Sequence, residues 1–187
     1  ITDLPYGTTA CSWDEVIPFA PMWAEVKRVL KPRGAFVTTA SQPFTSKLIM
    51  SNLEWFRHEW IWEKDKAANF LQGNIQPMKA HENIIVFCGV SPVYNPIKTK
   101  NPNKRSRTNS ENRIEARKKA GLSVSRFVSS EGYDETMLLP RTVIRFNRDI
   151  PKGGCLHPTQ KPVALLEYLI RTYTNEGDTV LDFTMGS

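Results

Sequence analysis

The sequence predicts an α/β fold, a parallel sheet with helices on both faces. Two observations carry this. At both ends of the chain, short β-branched or apolar runs alternate with segments of helical period. Between Trp55 and Phe146 that rhythm breaks, as an insertion would break it. The size fits: 187 residues, 40% of them apolar and 24% charged, make one domain with a core of its own. No apolar run approaches the ~18 residues of a membrane span.

Ile1 to Asp3 reads as the end of a strand, closed by Pro5 and Gly7. Phe19, Met22, Trp23, Val26, Val29 and Leu30 recur at helical spacing, and Lys31-Pro32-Arg33-Gly34 stops that helix. Ala35 to Ala40 reads as a buried strand. Pro43 suits a first helical turn, with a helix from about Phe44 to Asn52. Arg57 to Lys64 alternates around Trp60 and Trp62, and Glu82 to Cys88 is richly β-branched, so both read as strands. Thr142 to Phe146 is a further strand. Pro162 to Tyr173 is a helix with Val163, Leu165, Leu166, Leu169 and Ile170 on its apolar side. After the turn Asn175-Glu176-Gly177-Asp178, Thr179 to Asp182 reads as a buried strand. No internal repeat is visible.

The net charge of +6 is local. Between Ser91 and Ser130 stand Lys98, Lys100, Lys104, Arg105, Arg107, Arg113, Arg117, Lys118, Lys119 and Arg126, opposed only by Glu111 and Glu115. That stretch holds about +8, leaving about −2 for the rest. It is rich in Asn, Ser, Thr and Pro, and buries little surface by itself. Basic side chains displace counterions from phosphates, so nucleic acid is one expected partner, with a solvated insertion as the alternative. The expected organisation is residues 1–90 as a first core part, 91–135 as the basic insertion, and 136–187 as a return to the core. Cys11, Cys88 and Cys155 are odd in number and widely spaced, and His58, His81 and His157 are scattered. Neither set forms a disulfide framework or a paired zinc motif, which suits a reducing, cytoplasmic setting and no metal. No signal peptide is visible. Both ends read as cut, since the chain lacks an initiator Met and stops inside a pattern.

Three short motifs carry the chemistry. Asp3-Leu4-Pro5-Tyr6-Gly7 stands at the C-terminal end of a strand, where open α/β sheets bind ligands. There an aspartate accepts hydrogen bonds from an amino group, a proline turn fixes carbonyl directions, and a tyrosine offers a face for a base. His157-Pro158-Thr159-Gln160-Lys161-Pro162 opens a helix, and a helix N-terminus with a nearby lysine favours carboxylate or phosphate. Val180-Leu181-Asp182-Phe183-Thr184-Met185-Gly186-Ser187 runs a hydrophobic strand into a small-residue turn, where glycine permits close approach of a nucleoside. Each alone has an ordinary reading as a turn, a helix entry or a strand end.

In this order and spacing the three resemble the DNA amino-methyltransferases of the adenine-N6/cytosine-N4 family, in its permuted subgroup with the catalytic motif before the cofactor motif. The family's Asp-Pro-Pro-Tyr is matched by Asp3, Pro5 and Tyr6, with Leu4 where a proline is usual. The His-Pro-Thr-Gln-Lys-Pro string is matched in full. The Phe-x-Gly-x-Gly motif is matched in part by Asp182, Phe183 and Gly186. Leu139 to Ile144 resembles the approach to the His-Pro motif, and the basic segment lies where the subgroup carries target recognition.

The resemblance implies a partial Rossmann-like methyltransferase sheet and methyl transfer from S-adenosylmethionine to the N6 amino group of adenine in double-stranded DNA. It implies Asp3, Leu4, Pro5 and Tyr6 as catalytic residues, and Asp182, Phe183, Gly186, Thr159, Gln160 and Lys161 at the cofactor. Lys98, Lys100, Lys104, Arg105, Arg107, Arg113, Arg117, Lys118 and Lys119 are then the nucleic-acid contacts. A homodimer and a cognate restriction endonuclease, or a phage or prophage setting, fit the same picture. The target base must leave the duplex. Trp23, Trp60 and Trp62 read as core, and Trp13 as the aromatic best placed to line the base pocket; Asn69, Phe70 and Gln72 could shape it. Open at this point are cytosine-N4 methylation, a DNA-binding fragment with incomplete sites, and action on RNA or a protein amide.

Overall fold

The computed structural model describes residues 1–9, 11–102, 119, 136–148 and 160–185. The backbone divides into two compact units. The larger holds Ile1–Pro96 with Arg141–Ser187, and the smaller holds Ile97–Pro140.

The larger unit is built on a five-stranded sheet. Its strands are β1 (Thr2–Asp3), β2 (Phe36–Ala40), β3 (Phe56–Ala68), β4 (Lys79–Phe87) and β7 (Val143–Arg145), in the order β1-β2-β4-β3-β7. β1 runs parallel to β2, and β7 parallel to β3, but β4 is antiparallel to both neighbours. The sheet is therefore mixed, where the sequence led us to expect a parallel one. The cause is the link between β3 and β4. It holds only a short 3₁₀ turn at Phe70–Gln72 and no crossover helix, so the two strands fold back on each other.

Side chains alternate across the sheet and build two cores. On one face, Leu4, Phe36, Ala40, Ile85 and Phe87 pack under α1 (Phe19–Val29) and α2 (Phe44–Ser51) through Met22, Trp23, Val26, Phe44 and Leu48. On the other, Val37, Trp60, Trp62, Ile84 and Val86 pack under α3 (Val163–Tyr173) through Leu165, Leu169 and Tyr173. Helices thus cover both faces, as expected. Trp23, Trp60 and Trp62 are core residues, and each indole N–H finds an acceptor: Ser51 Oγ at 2.8 Å, the Tyr173 hydroxyl at 2.6 Å and the Phe146 carbonyl at 2.9 Å.

The two ends of the chain lie side by side. Ile1 N donates to the Leu181 carbonyl at 3.0 Å, and Asp3 N donates to the Thr184 hydroxyl at 3.1 Å. The stretch Thr179–Asp182, expected as a buried strand, runs here as open chain. Val180 is 41% and Leu181 55% exposed. Among the described residues it joins no ladder, and the Leu181 carbonyl accepting Ile1 N ties it to the start of the chain.

The smaller unit contributes one described ladder, β5 (Thr99–Lys100) antiparallel to β6 (Met137–Leu138). Among the described residues, no helix is long and apolar enough to cross a membrane, and no group of His, Cys, Asp and Glu could hold a metal ion.

Candidate active site

Strand register gathers the site. Asp3 pairs with Thr39 across the parallel β1–β2 ladder, Thr39 with Ile84 across β2–β4, and Glu82 with Trp62 across β4–β3. Residues paired this way share a face, and residues two apart on a strand do too. Asp3, Thr39, Glu82 and Lys64 therefore stand on the α3 face, at the end of the sheet where β1 and β2 finish.

The Asp3 carboxylate is the centre. Its Oδ1 accepts the Tyr6 hydroxyl at 3.0 Å and the Thr39 hydroxyl. Its Oδ2 accepts the Lys161 ammonium at 2.5 Å. Lys161 enters from just before α3, and its ammonium also lies 3.7 Å from Glu82 Oε2. Lys64 pairs with the other oxygen of Glu82. The lysine assigned to the cofactor from the resemblance is thus engaged with the carboxylate of the first motif.

Tyr6 bridges the two faces. Its hydroxyl reaches Asp3 and Thr39, while its ring stacks on Phe44 of α2 at 5.4 Å. The Lys161 ammonium lies 5.9 Å from the ring centroid. Burial first, then the charges of Asp3 and Glu82, hold the phenol well above its ordinary pKa, so it stays neutral and donates. Leu4, which replaces the usual proline, points the other way and is buried in the α1–α2 core at 3% exposure. Its substitution is a packing choice on the side opposite the chemistry.

Asp14 fixes the loop that follows, and the sequence reading missed it. Its two carboxylate oxygens accept the backbone N–H groups of Tyr6, Gly7, Thr8 and Thr9 at 2.7–2.9 Å, and the Thr9 hydroxyl at 2.8 Å. Burial opposes its charge, but the Thr9 hydroxyl and the N–H groups of Gly7, Thr9 and Thr8 outweigh it and bring the pKa down to about 2. Gly7 sits at φ +66°, and a Cβ there would meet the Val16 side chain at 2.8 Å, so the turn favours glycine.

Thr184 is a second missed residue: its hydroxyl meets both the Thr2 hydroxyl and Asp3 N, tying the last motif to the first. Phe183 lies half open, its ring near-parallel to Phe36 at 6.4 Å, while Tyr6 has Phe44 as its ring partner. Phe36 and Phe44 belong to one core cluster, so both motif aromatics lean on the same side of the sheet. Asp182 Oδ1 accepts Thr184 N at 3.0 Å. Among the described residues, Gln160 Oε1 is buried without a hydrogen-bond partner.

Trp13 is 54% exposed. Lys98, Lys100 and Lys119 are exposed. Thr159, Gly186, Lys104, Arg105, Arg107, Arg113, Arg117 and Lys118 lie outside the described residues. Asp14, Thr39, Glu82 and Lys64 carry no motif of their own.

The sequence profile N6_N4_Mtase, DNA methylase, matches residues 1–187. The type II methyltransferase M.HpaI of Haemophilus parainfluenzae is 30% identical over 202 aligned positions, which take in 100% of this chain and 57% of that one. The chain thus spans little more than half the length of that relative. Two solved structures share the fold. A complex of M1.HpyAVI with SAM superimposes with a TM-score of 0.52 at 21% identity, over 97% of this chain and 68% of the other. PvuII DNA methyltransferase, cytosine-N4-specific, gives 0.59 at 14% identity, over 97% and 65%.

Proposed function

The chain belongs to the N6/N4 DNA methylase family, and on that premise we propose that it transfers a methyl group to the N6 amino group of adenine in DNA, with S-adenosylmethionine as donor. The observation that carries this reading is the Asp3 carboxylate, anchored at the end of β1 with Tyr6 beside it.

An exocyclic amino nitrogen is a weak nucleophile because its lone pair is delocalised into the ring. Asp3 accepts a hydrogen from that amine through Oδ2 and helps draw the nitrogen toward tetrahedral geometry. The Leu4 carbonyl, held by the Pro5 turn, accepts the other. Tyr6, fixed by Phe44 and by its own hydroxyl, orients the flipped base; such stacking is worth roughly 1–3 kcal/mol. Asp14 holds the backbone of that loop in register, so orientation is set before the base arrives.

The residues present suit the cofactor. Gln160 Oε1 is a buried acceptor in need of a donor, and Phe183 offers a half-exposed aromatic face. Phe183, Asp182 and Gln160 would hold it, and bound there it would supply an electrophilic methyl group on a sulfonium. Double-stranded DNA is the partner, met in part by Lys98, Lys100 and Lys119, together with the other basic residues of that segment. A homodimer and a cognate endonuclease belong to the same reading.

Duplex DNA incubated with the protein and S-adenosylmethionine, then digested to nucleosides for mass spectrometry, tests this. N6-methyldeoxyadenosine is the expected product. N4-methyldeoxycytidine would replace the base assignment, and neither product, with cofactor bound, would reject the reading.

A further inference from the structure

We propose that Glu82 is a positioning residue for this reaction, acting through Lys161 on the Asp3 carboxylate; the inference rests on the functional reading above. Four side chains form a line of alternating charge, Lys64, Glu82, Lys161 and Asp3. Their side-chain exposures are 15%, 12%, 11% and 31%. Charges this enclosed persist only in each other's company, and removing one leaves its neighbour uncompensated.

The geometry gives Glu82 a task. A carboxylate has about four acceptor positions. Two hydroxyls occupy Oδ1 of Asp3 and the Lys161 ammonium occupies one position on Oδ2. About one position, on Oδ2, remains for the target amine. Which position remains depends on where the ammonium sits. A lysine is a point charge on a flexible four-carbon stem and does not fix its own direction. Glu82 does that: its Oε2 lies 3.7 Å from the ammonium, is buried and, among the described residues, has no hydrogen-bond partner of its own. Glu82 is itself fixed by Lys64 on Oε1 and by its strand position opposite Trp62. None of the three motifs includes Glu82; β-sheet register alone brings it here.

The test uses E82Q and E82D in the active enzyme, with K161M and the double variant K161M/E82Q. E82Q keeps the shape and removes the charge. We expect E82Q to lower kcat about tenfold or more while KM for DNA and for S-adenosylmethionine stays within about twofold. E82D, which keeps the charge, recovers part of that loss, a rescue that a purely structural role would not show. In the K161M background, E82Q adds little. Wild-type turnover by E82Q, no rescue by E82D, or a loss as large in the K161M background as in the native one would overturn the inference. An unaltered enzyme that transfers no methyl group would reject the functional reading and this inference with it. An active enzyme with an equally active E82Q rejects this inference alone.

Discussion

Asp14 shows how much one side chain can organise. Four backbone N–H groups and a hydroxyl converge on it, so the loop carrying Tyr6 is tied to a single carboxylate. Asp14→Ala leaves those donors without their acceptor. We expect a stability loss of roughly 1–3 kcal/mol, read as a lower Tm, with a larger fall in activity than in cofactor binding. The pH dependence has a definite sign. The folded pKa, about 2, lies below the ordinary value of 3.8, so the folded state holds the proton more weakly than the unfolded chain. The stabilisation is present in full above about pH 4 and is lost as pH falls through about 2. Melting curves of the native protein and Asp14→Ala should differ most near neutrality and converge in acid; a constant gap would contradict the assignment.

At the scale of elements, α3 joins stability to chemistry. Leu165, Leu169 and Tyr173 seat it on the sheet, and Lys161 leads into its first turn. The Tyr173 hydroxyl accepts the Trp60 indole N–H at 2.6 Å and meets His58 Nε2 at 2.7 Å, a polar tether inside an apolar face. Leu169 is 1% exposed, so Leu169→Ala should cost roughly 2–5 kcal/mol, checked by urea unfolding. A change under about 1 kcal/mol would mean that α3 is not seated as described. Much of this element level was legible beforehand. The helical stripe from Phe19 and the one from Val163 appear where their spacing put them, and β2 sits where its apolar run put it. β3 and β4 extend beyond the expected spans, to Ala68 and from Lys79, because pairing continues into polar residues that show no apolar alternation. The antiparallel setting of β4 was hidden because strand direction depends on the connection, and Val180-Leu181 looked like core because hydropathy does not record what covers a residue. In the cluster around Asp3, Asp3 and Tyr6 stand in one motif of the sequence and Lys161 in another, which pointed to the cofactor and not to Asp3. Thr39, Glu82 and Lys64 stand in none; their proximity comes from register across three strands.

At the scale of the molecule, charge and chain path divide the work. The larger unit brings the first and last motifs together through Asp3 and Thr184, while most of the positive charge lies between Lys98 and Arg126. Phosphate contacts weaken with salt in proportion to their number. Replacing Lys98, Lys100 and Lys119 together by Ala should weaken DNA binding about equally for all sequences. It should also flatten the slope of log Kd against log salt by roughly 0.9 per lost phosphate contact, measured by fluorescence anisotropy. An unchanged slope would remove these lysines from the interface.

The proposed methyl transfer turns on the Asp3 carboxylate as the acceptor of the target amine. Its most direct test is Asp3→Ala, assayed for methyl transfer to duplex DNA alongside calorimetric binding of S-adenosylmethionine. Transfer should fall to background while the cofactor still binds with near-native affinity. Full transfer by Asp3→Ala would contradict that role.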